Sequence, residues 1–224
     1  MKTISKGILI LAFTITPILA ESRNAAGGFI RMVNAVAMGT GKVTLLIDGD
    51  SVRDKGYKFG DATGGIAKSS GARKITIRRE GVEEGVTTVN LDKDQTVTLI
   101  PFAEKVPASD TKPAFHKIMI LRLRQTAPES GRTVTFVSVS GIPEIKADVQ
   151  SEDGKWTSVA VKRLGVSNMP LNYSQGYAPV KVAGESVKPI PIGGDGNYVM
   201  VLYDDAEGKV QSLYFRDFKF LSAD

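Results

Sequence analysis

Short runs in which apolar and polar side chains alternate recur along most of the chain. In one of them, an extended strand would place Ile75 and Ile77 on one side and Lys74, Thr76 and Arg78 on the other. Such alternation is typical of a strand that is buried on one face and solvated on the opposite face. Because Gly, Pro, Asp and Asn separate the runs, the spacing predicts an all-β sandwich or barrel.

Several turns between these runs are chemically specified. Asp48-Gly49 and Asp153-Gly154 favour two-residue hairpins, since Asp and Gly tolerate the left-handed backbone that a tight hairpin needs. The runs predict strands at 29–36, 43–48, 72–78, 86–91, 95–101, 116–124, 133–139, 144–150, 156–162, 179–182, 198–203 and 210–218.

Part of this β pattern occurs twice. The segment Lys58-Phe59-Gly60-Asp61 precedes an aliphatic strand and a turn, and so does Arg163-Leu164-Gly165-Val166. Gly60 and Gly165 are 105 residues apart, close to the length of one small sandwich domain. We therefore predict two tandem immunoglobulin-like β-sandwich domains.

The boundary between the two domains is predicted at residues 105–113. This segment contains two prolines among polar residues, and prolines do not continue a central strand. The first domain would span 25–104 and the second 114–224. The strand at 116–124 precedes the second copy of the pattern, so by sequence it could pair with either domain.

The N-terminus, residues 1–20, has the composition of a secretory signal peptide. Lys2 and Lys6 precede a short apolar stretch that ends with Pro17 and a small residue, Ala20. We expect cleavage after Ala20, with an uncleaved N-terminal anchor as the alternative. The mature protein would then lie in the periplasm, on the cell surface or outside the cell, with no membrane-spanning segment.

Charge and cysteine content narrow the range of partners. Without Lys2 and Lys6 the chain has 27 basic and 24 acidic residues, a surplus too small to indicate nucleic-acid binding. The sequence contains no cysteine, which excludes disulfides, a thiol nucleophile and cysteine-ligated metals. Export without disulfides fits a bacterial periplasm or cell surface better than a small eukaryotic secreted module.

Four short segments of the first half carry a family resemblance. They are Val-Asn-Ala within 31–35, an Ile-Asp-Gly hairpin within 43–49, a Phe-Gly step within 56–60 and an aliphatic strand within 75–81. Together these segments, which lie within residues 29–102, resemble the DUF4397 family of bacterial and archaeal extracytoplasmic β-domains of unknown function. The resemblance implies an exported, immunoglobulin-like sandwich and brings no catalytic residues. The second half departs further, with Val137-Ser138-Val139 where Val-Asn-Ala would fall.

The sequence offers little for catalysis. His116 is the single histidine, and a Ser-His-Asp system needs it beside a nucleophile and an orienting acid, so a structural or surface role is favoured. Paired acids occur only in apparent turns, where they satisfy local backbone donors or face water. We predict no catalytic residues and no cofactor.

Two kinds of ligand site are predicted, each with a plainer alternative. Trp156, Tyr173 and Tyr177 could form a sugar-stacking platform or a protein contact, the alternative being that they fill a core. Arg73 and Lys74 could hold an anionic polymer, the alternative being strand solubility and edge protection.

The loop with Asp204, Asp205 and Glu207 is the best metal candidate in the sequence. Calcium takes several oxygen ligands from flexible loops, although the loop lacks the spaced ladder of acids of an EF-hand. The alternative is a solvated hairpin tip.

These observations predict an exported, non-enzymatic binding or structural module of the bacterial cell envelope. It would engage protein or glycan through loops and strand edges, and identical chains could also pair by their edges into a homo-oligomer. The alternative is a carboxylate-dependent hydrolase that acts on cell-wall or extracellular glycans. A hydrolase would need two acids from different elements facing each other in a cleft.

Overall fold

The computed structural model describes residues 27–124, 131–194 and 196–217, so the predicted signal peptide at 1–20 lies outside the described residues. The described residues form sixteen strands and no helix, which confirms the all-β prediction. The first eight strands are β1 (Gly27–Met32), β2 (Thr40–Ile47), β3 (Asp50–Ser51), β4 (Ile66–Ser69), β5 (Gly71–Glu80), β6 (Val82–Leu91), β7 (Thr96–Val106) and β8 (Phe115–Arg124). The others are β9 (Arg132–Ser138), β10 (Glu144–Gln150), β11 (Trp156–Lys162), β12 (Val166–Pro170), β13 (Gly176–Val182), β14 (Glu185–Ile192), β15 (Gly196–Asp204) and β16 (Val210–Asp217).

The strand order of the second half repeats that of the first. The first eight strands form one sheet in the order β3-β2-β5-β6-β8-β7-β1-β4, in which β6 and β8 pair only at Glu83 and Lys117. The next eight form two sheets, β11-β10-β13-β14 and β12-β9-β15-β16. Adding eight to each strand number of the first half gives these same two orders, and each half contains the equivalent parallel pair, β1 with β7 and β9 with β15.

The repeat is visible in single hydrogen bonds. The Gly60 N–H donates to the Asn34 carbonyl at 2.8 Å, and the Leu164 N–H donates to the Ser138 carbonyl at 2.8 Å. Both donors have a left-handed backbone, with φ of 78° at Gly60 and 56° at Leu164. The structural counterpart of Gly60 is therefore Leu164, one residue before the Gly165 that the sequence pattern had paired with it.

The predicted linker at 105–113 is the connection of a β-hairpin. β7 and β8 pair antiparallel from Val97 with Arg124 to Val106 with Phe115, and the Ser109 N–H donates to the Lys112 carbonyl in the turn. The two prolines end the strands on either side of this turn, so they do not separate two domains. The strand at 116–124 accordingly pairs with strands of the first half, although the predicted boundary had placed it in 114–224.

Three hydrophobic clusters organise the core. One lies within the first half, one lies between the two sheets of the second half, and the third joins the halves. We call this third cluster the junction core. Its buried members are Val33, Ala35, Ile100, Phe102 and Leu123 from the first half, with Val137, Val139, Val199, Val201 and Phe215 from the second.

Polar and aromatic contacts accompany the junction core. The Arg31 guanidinium forms a buried ion pair with the Asp217 carboxylate and lies over the Phe215 ring, 4.9 Å from its centroid. Elsewhere in the junction the Phe59 and Tyr203 rings are in contact, with centroids 4.9 Å apart. The two halves therefore meet in a desolvated interface.

None of the described segments forms a helix long and apolar enough to cross a membrane.

Candidate functional site

The outer surface of the sheet β11-β10-β13-β14 gathers several chemically useful side chains. Trp156 pairs with Gln150 across β11 and β10, and Ser158 and Lys181 pair with Asp148 from either side. Residues in register across adjacent strands lie on the same face of a sheet. We call this surface the aromatic face, and its members are Trp156, Tyr177, Lys181, Asp148, Gln150 and Ser158.

Two aromatic side chains are exposed on this face. Trp156 is 40% exposed and Tyr177 is 67% exposed, although large aromatic side chains are usually mostly buried. Tyr177 lies on the same side of β13 as Lys181 because it is four residues away, and strand spacing places it about 12 Å from Trp156. The Lys181 ammonium lies 4.4 Å from the centroid of the Trp156 ring. Both side chains are therefore accessible, and their role in ligand binding stays a prediction.

Asp148, the direct cross-strand partner of Ser158 and Lys181, lies on the same face and is largely buried, with its carboxylate accepting a hydrogen bond from the Ser158 hydroxyl. Its Oδ1 is also 3.2 Å from the Lys146 ammonium. Burial pushes the pKa of Asp148 upward, but the Ser158 hydrogen bond and the charges of Lys146 and Lys181 together hold it below its usual value. The carboxylate is therefore ionised at neutral pH and is a fixed acceptor on the face.

The pKa of Asp148 predicts how acid affects stability. A carboxyl group whose pKa is lowered by folding stabilises the folded protein above the unfolded-state pKa, about 3.9, and loses that contribution as pH falls through the folded-state value. We expect Asp148→Asn to be less stable than wild type at neutral pH, and the difference to shrink below about pH 4. Urea unfolding of both proteins across this range checks the prediction, which a pH-independent difference would contradict.

Tyr173 does not belong to the aromatic face. Its side chain is half-buried and packs against the core of the second half, and its carbonyl accepts a hydrogen bond from Arg132 at 2.9 Å. It lines a separate groove of about 820 Å³ with Glu152 and Ser174. The Ser174 hydroxyl and N–H both donate to the Glu152 carboxylate, and they hold the pKa of Glu152 below its usual value. The three predicted aromatic residues therefore do not form one platform.

Arg73 and Lys74 lie on β5 in the first half, in a different sheet. The Arg73 guanidinium donates to the Ser69 carbonyl at 2.8 Å and to Asp48 at 3.3 Å, while the Lys74 N–H donates to the Asp48 carboxylate at 2.8 Å. The Arg73 guanidinium therefore links β5 to the end of β4 and to the turn that follows β2. The Lys74 side chain remains exposed.

Two acids of the predicted metal loop, Asp204 and Asp205, have protein donors as partners. The Asp204 carboxylate accepts from the Ser140 hydroxyl at 2.5 Å and from the Gly141 N–H at 2.6 Å. The Asp205 carboxylate accepts from Gln211 Nε2 at 3.0 Å and from the backbone of the hairpin. No group of three or more acidic, histidine or cysteine side chains arranged to hold a metal ion occurs among residues 27–124, 131–194 and 196–217.

These partners predict how the loop responds to calcium. Because Asp204 and Asp205 already accept hydrogen bonds from protein donors, a calcium ion would have to displace those donors. We expect the melting temperature to be the same in millimolar calcium and in excess chelator. Differential scanning calorimetry checks this, and a rise in melting temperature that depends on calcium would contradict it.

A cleft between the two halves was not predicted. It has a volume of about 740 Å³ and lies beside the junction core. Its polar walls are formed by Glu104, Lys105 and His116 from the first half, and by Arg163 and the hairpin Asp204–Gly208 from the second. We call it the junction cleft. Arg163 Nη2 and Glu104 Oε1 are 2.5 Å apart, which links the halves across it.

Neither a known protein family nor a curated protein matches the chain. The resemblance to DUF4397 therefore stays a prediction.

Proposed function

We propose that the protein is an exported, non-enzymatic binding module of the bacterial cell envelope, built as two tandem immunoglobulin-like sandwiches. Its ligand is a glycan of the envelope, held on the aromatic face. The single observation that carries the proposal is the exposure of Trp156 and Tyr177 on one surface, with hydrogen-bonding groups on the same face.

The chemistry of the aromatic face suits sugars. Sugar rings present C–H faces that stack on aromatic side chains and hydroxyl groups that need both donors and acceptors. Trp156 and Tyr177 offer two stacking surfaces about 12 Å apart, a separation that more than one ring of a glycan chain would bridge. Asp148 is a fixed acceptor, and Lys181 and Gln150 are donors near it. Trp156 also begins β11, which lies at the edge of its sheet, so a long ligand has open access to it.

The proposal is tested by sedimentation with isolated cell envelopes. We expect Trp156→Ala and Tyr177→Ala each to weaken binding at least about tenfold with an unchanged melting temperature, because both side chains are exposed. Val166→Ala is the matched control, since Val166 is an exposed apolar residue on β12 in another sheet. Equal binding by all four proteins would contradict the proposal.

The hydrolase alternative has one observation in its favour. The junction cleft brings Glu104 on β7 together with Asp204 and Asp205 from the β15–β16 hairpin, so acids from different elements do face one space. A glycosidase needs one carboxyl group whose pKa is raised so that it can donate a proton. Instead Glu104 is paired with Arg163, and the hydrogen bond from Gln211 lowers the pKa of Asp205. Asp205 is therefore an ionised acceptor and Glu104 is engaged by Arg163, which supports binding over hydrolysis.

Hydrolysis is tested directly with the same envelope glycans. We expect no release of reducing ends above background, and no difference between wild type and Glu104→Gln. Turnover by wild type that Glu104→Gln abolishes would favour the hydrolase.

A further inference from the structure

The junction cleft has the position and the size of a ligand site. Sites for small ligands occur preferentially between domains and have volumes of about 300–1,000 Å³. The cleft, at about 740 Å³, lies between the two halves and has an apolar floor that includes Met38, Phe102 and Val139. It is separate from the aromatic face, which lies on another sheet.

The wall from the first half offers two adjacent donors. Lys105 and His116 are direct cross-strand partners on β7 and β8, so their Cβ atoms are about 5 Å apart. Within the described part of the chain, neither side chain has a hydrogen bond or an ion pair. Two such donors side by side match the two oxygens of a carboxylate.

The wall from the second half is acidic. Asp205 and Glu207 belong to the hairpin that lines the cleft, and the Glu207 side chain has no ion pair within the described residues. The donors around Asp205, first of all Gln211, hold its pKa below its usual value, so its negative charge is fixed. Glu104 and Arg163 neutralise each other and therefore add no net charge to either wall.

We propose that the junction cleft binds a zwitterionic ligand of the amino-acid or short-peptide class. Its carboxylate would lie against Lys105 and His116, its ammonium against Glu207, and its side chains over the apolar floor. Opposite charges on the two walls favour a ligand that carries both charges over a simple anion or a simple cation, because each single charge would meet one repulsive wall.

Isothermal titration calorimetry with the tripeptide Ala-Leu-Ala and its capped forms tests the site. We expect the free peptide to bind at millimolar concentration, and N-acetylation or C-terminal amidation each to weaken binding about tenfold, since each cap removes one charged contact. Lys105→Met should weaken the free peptide about tenfold but leave the amidated peptide unchanged. Glu207→Gln should weaken the free peptide but leave the acetylated peptide unchanged.

Lys93→Met is the matched control, because Lys93 is an exposed lysine in the turn between β6 and β7, away from the cleft. It should bind the free peptide as wild type does. No detectable binding of the free peptide would overturn the proposal, and so would equal affinity for the free and the doubly capped peptide. Envelope binding by Lys105→Met should be unchanged, so failure of this proposal is distinguishable from failure of the glycan proposal.

Discussion

Replacement of Asp217 by alanine is expected to lower the free energy of unfolding by about 3–5 kcal/mol, because it leaves the Arg31 charge buried without its carboxylate. The side chains of Arg31 and Asp217 are only 6% and 1% exposed. The guanidinium also donates to the Thr98 hydroxyl and lies over the Phe215 ring, so it has little freedom to turn toward water. Unfolding in guanidinium chloride, monitored by circular dichroism, measures the loss of unfolding free energy.

A double replacement separates the ion pair from the packing around it. Removing both charges, as in Arg31→Met with Asp217→Leu, avoids the unpaired buried charge and should recover most of the lost stability. A single replacement that costs less than about 1 kcal/mol, the range of exposed salt bridges, would contradict the buried interface.

Phe102→Ala is expected to have an effect of similar size through a different mechanism. Phe102 is 3% exposed within the junction core, and truncation of a buried Phe costs about 3–5 kcal/mol, since it loses apolar burial and leaves a cavity. Its direct partner across β7 and β8 is Met119, which is 39% exposed. Met119→Ala is therefore the matched control and should cost about 1 kcal/mol or less.

The shape of the unfolding curve adds a second readout for the Phe102 variant. If the junction core couples the halves, wild type unfolds in one transition, and Phe102→Ala shifts or divides that transition. Two independent transitions in wild type, with Phe102→Ala altering only one of them, would show that the halves are not coupled.

The sequence alone was sufficient to predict features that depend on the alternation of apolar and polar residues within one strand. Period-two patterns identified most strands, and the same parity places Trp156 outward, since Val159 and Val161 face the core. Asp148 could have been found in this way too, because it alternates with the buried Ala147 and Val149. Asp148 lies beside Trp156 and Lys181 because β10 pairs with β11 and with β13. The sequence of a single strand does not show which strands it pairs with.

Features that depend on contacts distant in sequence could not be predicted. The proline-rich segment at 105–113 has the composition of a linker, and only the pairing of β7 with β8 identifies it as a hairpin connection. The junction core includes apolar residues from the second face of β7, β9 and β15, strands that are buried on both faces over much of their length, with Val33 and Ala35 from the segment just after β1. By sequence such strands indicate a buried sheet but not what covers it. The junction cleft forms where the two halves pack against each other, so it could not be predicted either.

The repeat shows how a pattern can be correct while its alignment is shifted. The sequence pattern aligned Gly60 with Gly165. In the structure the residue with a left-handed backbone is Gly60 in the first copy and Leu164 in the second. A non-glycine residue with positive φ is uncommon, so a glycine-based alignment moved to the neighbouring Gly165.

The single tryptophan of the sequence gives the most direct test of the glycan-binding account. Its indole N–H produces one resolved signal in a ¹H–¹⁵N spectrum, and that signal reports only on the aromatic face. Titration with soluble glycan fragments released from the source envelope should shift the Trp156 signal saturably, and Tyr177→Ala should weaken that saturation at least about tenfold. Glycan binding that leaves the Trp156 signal unmoved would contradict the account.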